Sequence, residues 1–387
     1  MVYIQRIIEK QVGEAIDNYP VTAIVGPRQC GKSTMVQNML SQRDDILHLD
    51  LERPSDLIKL ENAEWFFQSQ KGKLICIDEV QRRPDLFPVI RSISDEWNKN
   101  GSFLILGSAS RDLLKQSSET LAGRIAYKRL TPFLFAELQD TSYDMEQYFS
   151  KGGFPRSLIS KNENISFEWR ENFISTFLER DLLQWQNFTP ATMRRLLLML
   201  AHLNGQTINY TSISNSLGVS NQTIKNYVDL LESTFMVDVV PPYISNLGKR
   251  LVKAPKIYIA DSGITAALLG LQNFNTIMGH PASGTIWEQI VLTNLKGLFP
   301  SAEFFYYRTT AGVEMDFVML LRGKIIAIEC KATYSPSLTK GAYSAIEDIM
   351  PAHTFVVTPS PESWQLKKGI DVTSLHNIQS CISAVCQ

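Results

Sequence analysis

Residues 26–34 read GPRQCGKST and directly follow the apolar, β-branched run VTAIV at 21–25. Such a run suits a buried parallel strand, and the MVQNMLSQ that follows has a helical pattern, so the stretch sits at a strand-to-helix turn. It fits G-x-x-x-x-G-K-[ST] in the setting that this pattern requires. Gly26 and Gly31 allow the backbone to curl until successive N–H groups point inward, at the positive end of the next helix, which favours a bound phosphate. Lys32 supplies a charge for β- and γ-phosphates, the Ser33 hydroxyl can ligate Mg2+, and Thr34 closes the loop. A plain glycine turn is the bland alternative, and the complete pattern in its setting speaks against it.

Two more apolar runs belong beside this loop. KLICIDEVQRRP (73–84) contains a buried-strand run, Leu74 to Ile77, that ends in Asp78 and Glu79. An aspartate at the end of a parallel strand can hold Mg2+ through its water shell, and the adjacent glutamate can orient and polarise an attacking water. The pair is common by chance alone and gains its force from the loop before it. SFLILGSAS (102–110) ends in Gly107, Ser108 and Ser110 at the same carboxyl edge. Ser108 is expected either to hydrogen-bond the γ-phosphate or the lytic water, or simply to cap the helix SRDLLKQ.

Composition sets wide limits. The 387 residues suit two or three domains with cores of their own; 44% are hydrophobic and 20% charged, as in ordinary soluble proteins. Thirty-eight Lys and Arg against 39 Asp and Glu give a net charge of -1, so affinity for nucleic acid has to come from local patches. The amphipathic start MVYIQRIIEKQVGEAI and the absence of any apolar run of about 18 residues point to a cytoplasmic protein with no membrane span. The five cysteines, Cys30, Cys76 and Cys330 among them, form no C-x-x-C pattern and are expected to be small buried thiols.

The order of P-loop, DE pair, GSAS (107–110) and LAGR (121–124), then LTPFLFAEL (130–138) and KGGFP (151–155), resembles the AAA-type ATPases of bacteria and archaea that carry a restriction-endonuclease-like domain at the C-terminus. The resemblance covers nearly the whole chain. It implies ATP and Mg2+ as cofactors and a homo-oligomer built as a hexameric ring. It also implies an arginine finger given to the neighbouring subunit, for which Arg124 occupies the corresponding place and Arg111 is the fallback. A surface arginine before a strand is the other reading of Arg124. FISTFLERDLLQW (173–185) has the apolar spacing of a packed helix and would belong to the small helical lid of such a module. Arg180 within it would either report on the γ-phosphate or pair with Glu179 or Asp181.

Further on, TINYTSISNSLGVSNQTIKNYVDLLESTFMVDVV (207–240) predicts two helices and a turn. Ile213 and Leu217 mark the first helix, Gly218 breaks the chain, and Ile224, Tyr227, Val228 and Leu231 mark the second at i, i+3, i+4, i+7, with a wing to follow. Asn221, Gln222 and Lys225 are then exposed and can meet phosphates or base edges of DNA; helix-turn-helix units also serve as protein-packing modules. Lys249, Arg250, Lys253 and Lys256 follow as a local basic cluster or a solvated loop.

Finally, VEMDFVML (313–320) and KIIAIECKA (324–332) predict two strands joined by the turn LRGK (321–324). Asp316 lies on one, Glu329 and Lys331 on one face of the other, and Cys330 on the opposite face. Charges in an apolar hairpin need a reason. A structural ion pair is one; the other is that the carboxylates hold Mg2+ or Mn2+ while Lys331 orients or deprotonates a water for attack on a phosphodiester, with Glu288 of TIWEQIVLTNL (285–295) as a further ligand. The pattern is similar to the PD-(D/E)xK nuclease core, with Glu288, Asp316, Glu329 and Lys331 in matching places.

These features predict an α/β chain: a P-loop AAA-type ATPase domain (1–140), a helical lid (141–190), a winged-helix-like segment (191–262) and a nuclease-like α/β domain (263–387). The expected function is an ATP-hydrolysing, ring-forming, DNA-dependent motor or remodeller. Its alternative is a regulatory or assembly switch whose C-terminal domain binds a protein partner and touches no nucleic acid.

Overall fold

The run VTAIVG forms strand β1 (Val21–Gly26), buried at every position, as expected of a strand covered on both faces. With β2 (Ile46–Asp50), β3 (Leu74–Asp78), β4 (Phe103–Ser108) and β5 (Ile125–Arg129) it makes a parallel sheet of order β2-β3-β4-β1-β5. Side-chain alternation builds two core layers. Val21, Ala23, Ile75, Ile77, Phe103 and Ile105 belong to one, and Ile24, Cys76, Leu104 and Leu106 to the other. Helix α1 (Glu9–Asn18) rests on β1 and β5, α2 (Lys32–Met39) leaves the end of β1, and α3 (Leu86–Trp97) connects β3 to β4. Because the strands run the same way, Gly26, Asp78 and Ser108 arrive at one edge, where parallel sheets bind ligands.

The structure is a computed structural model that describes residues 3–108, 120–181, 189–244 and 251–386. It divides into two units, Met1–Phe133 with Ser233–Phe235, and Leu134–Glu232 with Met236–Gln387. Among the described residues no helix is long and apolar enough to cross a membrane.

The second unit begins with α4 (Met145–Lys151) and α5 (Glu163–Thr176). The stretch expected to serve as a lid to the P-loop sheet therefore falls in a different unit, and its contacts explain why. The Gly153 N–H donates to Asp261 Oδ2 at 2.7 Å, and Gly152, at φ +74°, has Asp261 Oδ1 only 2.1 Å from where a Cβ would stand. Arg170 is fully buried and donates to the carbonyls of Ser150 and Gly263 at 2.7 and 3.0 Å. The KGGFP and ADSG stretches thus interlock, and glycine is the residue that this close approach admits.

Helices α6 (Pro190–His202), α7 (Tyr210–Leu217) and α8 (Asn221–Ser233) pack with a sheet of β6 (Gln206–Thr207), β7 (Val237–Val240) and β8 (Lys256–Ile259), in the order β6-β8-β7. Ile213, Ile224, Tyr227, Val228 and Leu231 are buried, and Gly218 ends α7 at φ +67°, as the spacing predicted. The chain between β7 and β8 bridges to the next sheet at Pro242–Tyr306 and Leu251–Thr309.

Helix α9 (Ser262–Leu268) and the long α10 (Ser283–Leu298) lead into that sheet. Its strands are β9 (Glu303–Arg308), β10 (Glu314–Leu321), β11 (Lys324–Cys330), β12 (His353–Thr358), β13 (Trp364–Lys367) and β14 (Ile370–Ser374), in the order β13-β14-β12-β11-β10-β9. β9, β10 and β11 are antiparallel; α11 (Lys340–Ile349) then carries the chain to β12, which lies parallel to β11. The predicted LRGK turn is present: Arg322 and Gly323 both have positive φ, +50° and +76°, as a two-residue hairpin turn demands. β10 bulges against β9 between Met315 and Val318, which is where Asp316 sits.

Candidate functional site: a P-loop and a carboxylate–lysine cluster

The loop after β1 is tightly constrained. A Cβ on Gly26 would lie 2.1 Å from the Leu130 carbonyl oxygen, and Gly31 enters α2 at φ +98°. Lys32 is buried, and its Nζ donates to the carbonyls of Gly26 and Pro27 at 3.0 and 2.9 Å. Ser33 Oγ donates to Asp78 Oδ2 at 2.5 Å, so the hydroxyl and carboxylate assigned to Mg2+ meet although 45 residues separate them. Paired oxygen donors of this kind suit a hard cation that keeps part of its water shell. Glu79 adopts the left-handed conformation, its N–H donates to Asp78 Oδ1 at 2.9 Å, and its carboxylate accepts from Gln81 Nε2. Thr34 is exposed on α2.

Behind the loop lies Arg6, a residue with no motif to announce it. Buried, with its guanidinium over the Phe133 ring, it donates to the carbonyls of Cys30, Thr131 and Pro132 at 3.1, 2.6 and 3.1 Å. It ties the phosphate loop to the segment that follows β5.

The remaining ATPase candidates separate. Ser108 ends β4 in register with Gly26, which puts its backbone at the right edge; its side chain, like Ser110 and Arg111, lies outside the described residues. So does the side chain of Arg180. Arg124 stands at the other end of the sheet, its carbonyl accepting from Val21 N at the start of β1. Its guanidinium grips both oxygens of Asp95 on α3, with Nη2 to Oδ2 at 3.0 Å, in a pair more than a third exposed on each side. Solvated pairs of this type contribute little to stability. Arg124 is out of reach of its own P-loop.

The second constellation is assembled from five elements. Phe317 pairs with Ile328, so Asp316 and Glu329 face each other on the next rung of the hairpin. Asp316 Oδ2 accepts from the Cys330 N–H at 2.7 Å, and Glu329 Oε1 from Lys331 Nζ at 2.7 Å. From α10, Glu288 Oε2 accepts from the Tyr258 hydroxyl at 2.8 Å and lies 3.8 Å from Lys256 Nζ. Lys256, its side chain 3% exposed, also meets Glu314 Oε1 at 2.7 Å, and Arg308 approaches the other oxygen of Glu314 at 3.6 Å. Lys256 therefore corrects the expectation of a basic surface cluster: it is an internal ammonium, whereas Lys253 is exposed and Lys249 and Arg250 lie outside the described residues.

Burial sets the protonation of this cluster. It raises the Glu288 carboxyl to about 8, aided by the charge of Asp316 and opposed by Lys256 and Tyr258. Burial and Asp316 likewise raise Glu329 to about 7, against the pull of Lys331. Asp316 is raised too, by burial first. For Lys256, burial acts downward, yet Glu288, Asp316 and Glu314 together hold it above the usual lysine value. Perturbed carboxyls gathered in this way mark candidate functional sites. Among the described residues no three of His, Cys, Asp and Glu converge closely enough to hold a metal by themselves. Asp316 and Glu329 remain the pair suited to share one ion with water and substrate oxygens.

On α8, Asn221, Gln222 and Lys225 are exposed as predicted. Asn221, however, is engaged within the chain: Oδ1 accepts from Ser214 Oγ at 2.5 Å and Nδ2 donates to Thr211 Oγ1 at 3.2 Å. Gln222 donates to Asn226 Oδ1 at 2.9 Å, and Lys225 lies over the Tyr210 ring.

A model described as an AAA domain matches residues 18–139, the span that holds the parallel sheet and its loop. The uncharacterized proteins Rv2008c of Mycobacterium tuberculosis and Mb2031c of Mycobacterium bovis are each 36% identical over 357 residues, covering 92% of this chain and 80% of theirs. The chain belongs to their family of AAA-domain proteins. Models for two domains of unknown function, DUF8612 and DUF4143, match residues 142–275 and 283–378. Among solved structures, the Walker-type ATPase PABY2304 of Pyrococcus abyssi aligns at a TM-score of 0.48 with 14% identity, over 69% of this chain and 96% of that one.

Within this AAA-domain protein, sequence patterns overlooked Arg6, Tyr258 and Glu314 and misplaced Lys256. Lys256 and Tyr258 did carry a signal: they alternate on a strand with Ile257 and Ile259, the same two-residue spacing that exposed Glu329 and Lys331. Arg6 had none, since the carbonyls of Cys30, Thr131 and Pro132 that it meets are groups any residue would offer.

Proposed function

We propose that this AAA-domain protein hydrolyses ATP as a ring-forming, DNA-dependent motor or remodeller, and that its C-terminal sheet holds a nuclease-like site that binds and cleaves DNA. The observation that carries the first part is the meeting of Ser33 and Asp78 beside Glu79 and Lys32. Mg2+, held by Ser33 and Asp78, would offset phosphate charge. Lys32 would leave the Gly26 and Pro27 carbonyls for the β- and γ-phosphates, while Glu79 would align a water behind the γ-phosphorus and draw off its proton, releasing ADP and phosphate. Arg124, on the far edge of the sheet, can act only on another subunit's nucleotide, by leaving Asp95.

The order of three helices and three strands over 190–259 supports a winged-helix segment, and the helix, antiparallel strands and crossover over 283–358 support a PD-(D/E)xK-like core. There Asp316 and Glu329 would hold a divalent ion, and Lys331 would orient the water that attacks a phosphodiester.

The test is to measure ATPase rate with duplex, single-stranded and branched DNA, and to follow labelled DNA in Mg2+ or Mn2+ beside an Asp316→Ala, Glu329→Ala double variant. A rate that rises with DNA and cleavage by the parent alone are expected. A rate that no DNA changes overturns the DNA-dependent motor. It favours an assembly switch acting on a protein partner, which the engagement of Asn221 with Ser214 and Thr211 and the single lysine of α8 also support.

A further inference from the structure

We propose that Phe235 is a positioning residue for the P-loop, acting through Arg129, and that nucleotide affinity is thereby tied to helix α8. The inference rests on the nucleotide-binding reading of GPRQCGKST given above and needs no DNA. Helix α8 ends at Ser233, and the Met236 N–H donates to the Leu231 carbonyl at 2.8 Å, the bond that closes a helix through a left-handed residue directly before the donor. That residue is Phe235, at φ +60°. Glycine is the usual occupant of this place, and a bulky side chain there is strained. Among the described non-glycine residues with positive φ, Phe235 is the only aromatic. Met236 enters the core of the second unit, whereas Ser233–Phe235 belong to the first. There the Arg129 guanidinium stands over the Phe235 ring, 4.4 Å from its centre. Strain of this kind persists where the surroundings hold it, and here the ring faces a cation.

Arg129 adjoins the support of the phosphate loop. It ends β5 in register with Val25, the residue before Gly26. The next residue, Leu130, donates its N–H to the Val25 carbonyl at 2.8 Å. Its own carbonyl oxygen lies 2.1 Å from where a Cβ on Gly26 would stand and 3.7 Å from Cys30 Sγ. A shift of Arg129 along β5 therefore moves the carbonyl against which the first glycine of the loop closes. The segment behind the loop is held twice: Arg6 grips the carbonyls of Thr131 and Pro132, and Phe235 holds Arg129. The first clamp comes from the chain's start, the second from the end of α8.

Calorimetry of ADP with Mg2+ on the full chain tests this, with thermal unfolding alongside. Glycine suits φ +60°, so Phe235→Gly should keep its fold while losing the ring. Affinity for ADP is expected to fall about fivefold or more in Phe235→Gly and in Arg129→Met, to fall no further when the two are combined, and to stay within about twofold in Phe235→Tyr, which keeps the ring. By reciprocity, bound ADP should slow amide hydrogen exchange over 221–233 in the parent by about the same factor and not in Phe235→Gly. A folded Phe235→Gly that binds ADP like the parent, a Phe235→Tyr as weak as the glycine variant, losses that multiply in the double variant, or exchange in the parent that ADP does not slow overturns the inference and leaves the P-loop reading intact. A parent that binds no ADP overturns both. Should Phe235→Gly fail to fold, Arg129→Met decides, and parental affinity in that variant overturns the inference.

Discussion

The P-loop and the carboxylate–lysine cluster are both sites where charge gathers, yet they are built in opposite ways. The loop uses one short contiguous stretch plus the end of β3, and its groups act largely through the backbone that Gly26 and Gly31 allow. The cluster takes Lys256 and Tyr258 from β8, Glu288 from α10, Glu314 and Asp316 from β10, and Glu329 from β11, with Lys331 directly after it. A contiguous site survives as long as its own turn forms. A dispersed one exists only when several elements pack correctly, so its electrostatics belong to the tertiary fold.

The largest effect is expected where that contrast is sharpest. Glu79→Gln should lower ATP turnover by about 100-fold or more, with nucleotide affinity preserved, because the glutamate acts on water and not on the phosphates. Lys32→Ala should weaken nucleotide binding itself. Equal turnover in Glu79→Gln and the parent, in a steady-state phosphate-release assay, would remove the DE pair from the chemistry.

Next in size is a change that would show the loop to be less self-contained than its letters suggest. Arg6→Ala strips a charged donor from three carbonyls and should cost the first unit about 2–3 kcal/mol. Urea unfolding would register this as a lower midpoint at unchanged slope, together with weaker nucleotide binding. A midpoint that does not move would mean that GPRQCGKST holds its shape unaided.

A third effect, read as a slope against pH, concerns the cluster. Glu288 is raised from 4.5 to about 8 in the folded chain, so it binds its proton more tightly folded than unfolded. Its contribution to stability is full below about pH 4.5 and is lost as pH rises toward 8, a slope opposite to that of a paired surface carboxylate. The thermal midpoint of the second unit should therefore fall over this window, by less in Glu288→Gln than in the parent. Identical slopes in the two proteins would show Glu288 to be ordinary despite its burial.

Much of this was legible in one dimension. The apolar runs of four or five residues, the glycines and the lysine of the P-loop, and the alternation around Glu329 each depend on neighbours a few positions away, and β1, β3 and the β10–β11 hairpin form where the patterns put them. The two-residue turn at Arg322 and Gly323 is equally local, since a hairpin of this length needs positive φ at both of its central residues.

What the amino-acid sequence determined by itself is the set of short-range choices: which runs become strands, where glycine must turn the chain, and which letters cradle phosphate. Only the tertiary structure decided that Lys256 turns inward to Glu288 and Glu314, that Arg6 braces the P-loop, that KGGFP interlocks with Asp261 and that Arg124 is held by Asp95. Each of these pairs joins residues at least 24 positions apart, as Arg6 and Cys30 are. A lone lysine or arginine carries the same letter whether it is solvated or buried. The cost of burying its charge is met only by partners that folding brings to it, and no spacing along the chain records which ones they will be.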